Sequence, residues 1–187
     1  MQRLVLIISL IVVFTLVMEF SIFKNPQATE ILLKPENQTC VINVEEKTVH
    51  GTSLSGLIEP GSTVKILFGY YNCNEIRRGD IVVYNYSGNP NPIIKIVKGI
   101  PGDLFHLQKT ESGYNILING EIVKNSQSEP YLLGESGYRM LSLYENDYKD
   151  VIPANAYLLL GNIASGSLDS THFGLIGKDD ITGKVEY

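Results

Sequence analysis

The sequence predicts a mainly β domain set behind a single apolar helix. Short β-branched runs recur from residue 39 onward, turn residues separate them, and residues 4–23 are almost wholly apolar. A chain of 187 residues can bury a substantial core. A hydrophobic content of 44% with 17 glycines suits a turn-rich globular fold rather than a disordered one.

The apolar stretch comes first. Leu4 to Met18 runs without a charge, Glu19 interrupts, and Phe20-Ser21-Ile22-Phe23 resumes the run before Lys24. As a helix it would span about 30 Å, the thickness of a bilayer core. Glu19 would sit about one turn from the end, within reach of the interface. Arg3 and the amino terminus favour an inside N-terminus. A cleaved secretory signal is the competing reading, but no small-x-small site follows directly, and Pro26-Gln27-Ala28 is a poor one. The expectation is a retained anchor over residues 1–24 and a polar linker over 25–38, broken by Pro26 and Pro35. A β-rich domain over 39–187 would then lie on the far side of the membrane.

Within that domain, strands are expected at Thr39–Val44, Thr63–Leu67, Asp80–Tyr86 and Ile93–Lys98. Pro60-Gly61, Arg78-Gly79-Asp80, Gly88-Asn89-Pro90 and Pro101-Gly102-Asp103 supply the turns between them. Asn115–Ile118 and Glu121–Val123 flank Asn119-Gly120, a hairpin signal. Met140–Tyr148 is short for a helix, one or two turns. Ala156–Leu160 and Ile181–Glu186 close the set.

Charge and cysteine content narrow the chemistry. A formal net charge of −5 with no basic block gives nucleic acid no electrostatic footing. No C-x-x-C, H-E-x-x-H or Cys/His spacing points to a metal, and no cofactor motif is present. Cys40 and Cys73 can pair if the domain lies outside the cytoplasm, or remain two buried thiols.

The chain centres on His50-Gly51-Thr52-Ser53-Leu54-Ser55-Gly56, a serine among small residues. A serine needs a base to become a nucleophile. The three histidines lack a flanking motif, and position 55 is serine where a G-x-S-x-G elbow requires glycine. Ser62-Thr63-Val64-Lys65 matches S-x-x-K, but on a strand those two side chains would point to opposite faces. Lys95 remains, set between Ile93-Ile94 and Ile96-Val97. Buried there, its amine would lose its proton readily and could serve as a base; on an edge strand it would simply meet solvent. The residues alone leave both readings open.

Four ordered segments carry a resemblance: Gly51-Thr52-Ser53-Leu54, Arg78-Gly79-Asp80-Ile81-Val82, Lys95 to Asp103 and Gly161 to Gly174. In order, spacing and character this set resembles the type I signal peptidases, serine peptidases with a Ser-Lys dyad. The resemblance runs from about Val49 to the end. It implies a signal-peptidase-like β-sheet catalytic domain, with Ser53 as nucleophile and Lys95 as general base. It also implies that Ser167 orients the lysine and that Asp169 braces that segment. Gly51 would join the Ser53 amide in the oxyanion hole, and Val49 and Ile94 would line the pocket for the small side chain before the cut. Seven positions depart from the family pattern; Leu54 stands for the methionine of S-M-x-P, and Ile163 and Ala164 for the last two residues of G-D-N-R. The other four are Gly56 for the proline of S-M-x-P, Ile96 for the basic residue after the lysine, Asn162 for the aspartate of G-D-N-R, and Thr171 for the arginine after D-S. A salt bridge from Asp169 to that arginine is therefore absent.

The implied function is removal of signal peptides from exported preproteins by an anchored enzyme of the cell (inner) membrane, catalytic domain outside. The implied partners are preproteins and membrane lipid, with no metal, cofactor or nucleic acid. The ending Gly166-Ser167-Leu168-Asp169-Ser170-Thr171-His172-Phe173-Gly174 also resembles the conjugative-transfer maturation proteases of the same superfamily. An inactive anchored binding protein, or a self-cleaving regulator, would be the readings outside that class.

Overall fold

The computed structural model describes residues 40–86 and 92–187. The expected anchor (1–24) and linker (25–38) lie outside the described residues. Among the described residues no helix is long and apolar enough to cross a membrane.

Among the described residues eleven strands form two sheets, so the domain is mainly β as expected. The larger sheet uses β1 (Asn43–Thr48), β2 (Thr63–Phe68), β3 (Ile81–Tyr84), β4 (Ile93–Gly99), β9 (Ala156–Leu160), β10 (Ile176–Gly177) and β11 (Ile181–Glu186). Its order is β1-β2-β11-β3-β4-β9-β10, antiparallel throughout. The smaller sheet places β6 (Tyr114–Ile118) between β5 (Phe105–Lys109) on one side and β7 (Glu121–Ile122) and β8 (Leu132–Leu133) on the other. Helix α1 (Glu135–Asp147) packs near it, and the single-turn α2 (Ser170–Phe173) follows β9.

Alternation explains most of this. In β2 the buried Val64 and Ile66 alternate with exposed Thr63 and Lys65, which separates the S-x-x-K pair. Strands β3 and β9 are central, flanked on both edges, and read as continuous apolar runs. Asn119 and Gly120 both take left-handed backbone angles (φ 54° and 82°), the turn that fits a two-residue hairpin between β6 and β7.

Three expectations need correction. The first strand lies at Asn43–Thr48 rather than Thr39–Val44, because its partners Phe68 to Thr63 extend only that far and the outer edge tolerates charged Glu45-Glu46-Lys47. The helix runs from Glu135 rather than Met140; its N-cap is Gly134, which offers no side chain to mark the start. Strand β5 had not been expected, although Phe105 and Leu107 alternate inward against His106 and Gln108.

Three apolar clusters fill the interior. One, built from Val49, Leu54, Ile58, Val64, Ile66, Ile81, Val83, Ile96 and Val185, lies under the serine loop. A second joins the small sheet to α1 and β9 through Leu141, Leu158 and Leu160. A third, around Val82, Val97, Tyr157 and Leu159, involves the alternate positions of β3, β4 and β9. Cys40 and Cys73 are disulfide-bonded, with Cα atoms 5.8 Å apart.

Candidate active site

Lys95 sits in β4, opposite Val82 of β3, with β9 on the other side. This central position leaves the residue 2% exposed. Burial pushes the Lys95 amine down to about 8 from its ordinary 10.5, and the negative charge of Asp169 pulls weakly the other way. Desolvation wins. The turns at the far end of β4 hold it in place. Gly79 N donates to Val97 O at 2.8 Å, Val97 N donates to Asp80 O at 2.9 Å, and Arg78 pairs with Asp103 at 2.6 Å. The R-G-D and P-G-D segments are thus joined through their own side chains.

Ser53 lies in the loop between β1 and β2. That loop is closed by Val49 N to Ser62 O (2.9 Å) and Gly61 N to Val49 O (2.7 Å), and is anchored by the fully buried Leu54. Gly56 turns it with φ at 82°, a value closed to the proline of the family pattern, whose ring fixes φ near −65°. The result is a contact between chain segments 42 residues apart: Lys95 Nζ donates to Ser53 Oγ at 2.9 Å and to Ile94 O at 2.9 Å.

Asp169 is 1% exposed, and its carboxylate accepts four hydrogen bonds. Oδ1 takes Thr171 N (3.0 Å) and Thr171 Oγ1 (2.8 Å); Oδ2 takes Gly161 N (3.0 Å) and Ser167 Oγ (2.6 Å). Thr171 therefore supplies two neutral donors where the family pattern has an arginine. Full pairing of this kind is what a buried carboxylate requires. Ser167 and Asp169 meet within a short loop. Among the described residues no hydrogen bond joins Ser167 to Lys95; the Ser167 hydroxyl instead packs against Gly161, where a Cβ would meet it and would lie 2.8 Å from Ser53 O.

A groove of about 930 Å³ is bordered by β1 and by Pro92 to Lys95, with Val64, Ile66 and Val83 beneath. Val49, Gly51, Ser53 and Ile94 all line it. Among the described residues the amides of Gly51 and Ser53 donate no hydrogen bond within the protein. His106, Glu145 and Asp150 bring potential metal-ligand atoms within 4.8 Å of one another, but they line no part of this groove, and His106 Nδ1 is paired with Glu145 at 2.6 Å.

Sequence reasoning missed two contributors. Asn162, read only as a departure from the family aspartate, is 1% exposed and donates its backbone N–H to Ser53 O at 2.6 Å. Tyr131, in no motif, donates its hydroxyl to Gly161 O.

The arrangement is a hydroxyl, a buried amine with lowered proton affinity, free amides and an apolar groove, which together can perform acyl transfer. The family profile for "Signal peptidase, peptidase S26" matches residues 1–187. Signal peptidase IB of Staphylococcus aureus strain COL is 28% identical over 151 residues, covering 75% of this chain and 74% of its own. Signal peptidase I of Bacillus caldolyticus is 30% identical over 142 residues, covering 74% and 75% respectively. A signal peptidase I structure from Enterococcus faecalis V583 superposes with a TM-score of 0.43 at 20% identity, over 60% of this chain and 98% of that one. With a family match along its whole length, this chain belongs to the signal peptidases of peptidase family S26.

Proposed function

We propose that the protein is a membrane-anchored serine endopeptidase that removes signal peptides from exported preproteins, with Ser53 as nucleophile and neutral Lys95 as general base. The supporting observation is the 2.9 Å separation of Lys95 Nζ and Ser53 Oγ in a buried setting. One amine N–H is engaged by Ile94 O, which leaves the lone pair to turn toward the Ser53 hydroxyl. As the Ser53 oxygen attacks the scissile carbonyl, its proton passes to Lys95. The amides of Gly51 and Ser53 hold the developing oxyanion. The lysine then gives its proton to the departing amine, leaving an acyl-enzyme. Lys95 next draws a proton from water, whose oxygen attacks the ester carbon; the carbon–oxygen bond to Ser53 breaks, the proton passes from Lys95 to Ser53 Oγ, and the cut chain leaves.

Ser167 and Asp169 serve as supports. Asp169 bridges Ser167 to Gly161 N, and the next amide, that of Asn162, holds Ser53 O. The substrate is the extended segment after a signal peptide's apolar run, bound as an added strand beside the residues before Ser53 and near Lys95. Val49 and Ile94 admit only a small side chain before the cut. Residues 1–24 anchor the enzyme in the cell membrane, with the β domain on the extracytoplasmic side against the lipid surface where its substrates emerge. Ser53→Ala and Lys95→Ala should each abolish cleavage of a purified preprotein while leaving the unfolding transition in place; cleavage by either variant would overturn the dyad.

A further inference from the structure

We infer that Asn162 is a positioning residue whose side-chain amide, as a hydrogen-bond donor, sets the Ser53 loop for acylation, a task that an aspartate at this position cannot perform when ionised. The inference rests on the reading of Ser53 as nucleophile. Asn162 grips the loop twice: its backbone N–H donates to Ser53 O at 2.6 Å, and Nδ2 donates to Ser55 O at 2.9 Å. These two carbonyls flank Leu54, so the contact starts at the nucleophile and fixes the two residues that follow it. On its far side Asn162 is itself held. Oδ1 accepts from Ser126 N at 2.9 Å, Nδ2 donates to Ser126 Oγ at 2.8 Å, and Asn125 Nδ2 donates to Asn162 O at 3.1 Å.

The orientation of the amide is decided by its neighbours. Ser126 N can only donate, so the atom facing it is Oδ1, and the atom facing Ser55 O is then the –NH₂. A carboxylate has no donor to offer, so an ionised aspartate would set oxygen against the Ser55 carbonyl. At 1% exposure no water would relieve that contact. Glycine at position 56 is part of the same arrangement, since a Cβ there would come within 3.3 Å of Asn162 Nδ2 and would collide with Gln127. The two departures from the family pattern, Gly56 and Asn162, therefore meet at one place. They act as a coupled pair, in which the missing side chain gives the amide room to reach the loop.

The test compares N162A and N162D in the full-length enzyme in detergent, cleaving a purified preprotein. A packing role favours N162D, the closer isostere. The donor role reverses that order. Expected for N162A is a kcat at least tenfold lower with KM within threefold, because Asn162 lines no part of the groove. N162D should be slower than N162A at pH 9. Its rate relative to the unaltered enzyme should rise at least threefold by pH 6, as the buried carboxyl takes up a proton and regains an O–H donor. N162D faster than N162A at pH 9, or a ratio flat with pH, overturns the inference. If N162D does not fold, N162A decides alone, and any smaller loss in kcat or larger change in KM overturns it. Ser53→Ala run in parallel separates the two levels: cleavage by that variant defeats the nucleophile assignment, whereas an inert Ser53→Ala beside unimpaired N162 variants defeats only the role given to Asn162.

Discussion

Replacing Lys95 with methionine keeps the length and apolar stem of the side chain and removes the amine. The folded state holds the Lys95 amine near 8, whereas the unfolded chain holds it near 10.5. Each pK unit between the two states is worth about 1.4 kcal/mol. The buried ammonium therefore loads the native fold with roughly 3 kcal/mol wherever both states are protonated, that is, below pH 8. Between pH 8 and 10.5 the unfolded chain binds the proton and the folded one does not, so this contribution to stability rises with pH and levels off above 10.5. Lys95→Met has no such dependence. Denaturant unfolding of both full-length proteins in detergent, followed by circular dichroism, measures the difference at each pH. Other titrating groups are shared by the two proteins and cancel in the difference at each pH, while the lost hydrogen bonds enter as a constant offset. The advantage of Lys95→Met should shrink by roughly 3 kcal/mol from pH 6 to pH 10.5. Parallel curves, constant within about 0.5 kcal/mol, would mean that the native fold does not disfavour the charged amine, and the argument for a neutral base would fail.

Two further predictions follow from the same geometry. Cleavage should increase with pH through a single limb centred near 8, because the Lys95 amine must lose its proton to act as a base; a rate that is flat from pH 7 to 10 refutes the assignment. Reducing the Cys40–Cys73 disulfide, which closes a separation of 33 residues, should cost about 3–4 kcal/mol of stability by the loop-entropy relation while leaving kcat within twofold. Unfolding midpoints and rates with and without reductant check it.

Local signals carried the fold wherever they were strong. Ala156–Leu160 and Ile181–Glu186 lie where their β-branched and apolar runs place them, and Asn119-Gly120 forms its hairpin. Edges and caps were harder to read. Strand β1 pairs on one side only, so its register is set by β2 and not by its own pattern. Helix α1 begins at Glu135 behind a glycine N-cap, with only Gly137 and Leu141 buried along it, so its periodicity is faint. The meeting of Lys95 with Ser53 was legible only through the order of four segments, since no local rule pairs residues 42 apart. The role of Asn162 was illegible for a deeper reason. Its partners come from residues 53–55 and 125–126, and a single asparagine carries no sign of which backbone it will meet.

Four of the departures from the family pattern have a common physical direction. Ile96, Asn162, Ala164 and Thr171 each put a neutral side chain where the pattern has an ion. Ile96 lies in the apolar cluster under the serine loop, opposite Ile81 and Leu160, where a cation would require a buried partner. Among the described residues Asp169 is the one ion whose charge bears on Lys95. Its negative charge favours the ammonium, and so would oppose the proposed action of Lys95 as a free base. Four neutral hydrogen bonds hold that carboxylate without bringing a cation to offset it. Burial of Lys95 must then supply the whole of the downward pull. On the proposed reading, the site reaches a free amine through desolvation, which would make its chemistry depend on how tightly β3, β4 and the serine loop exclude water.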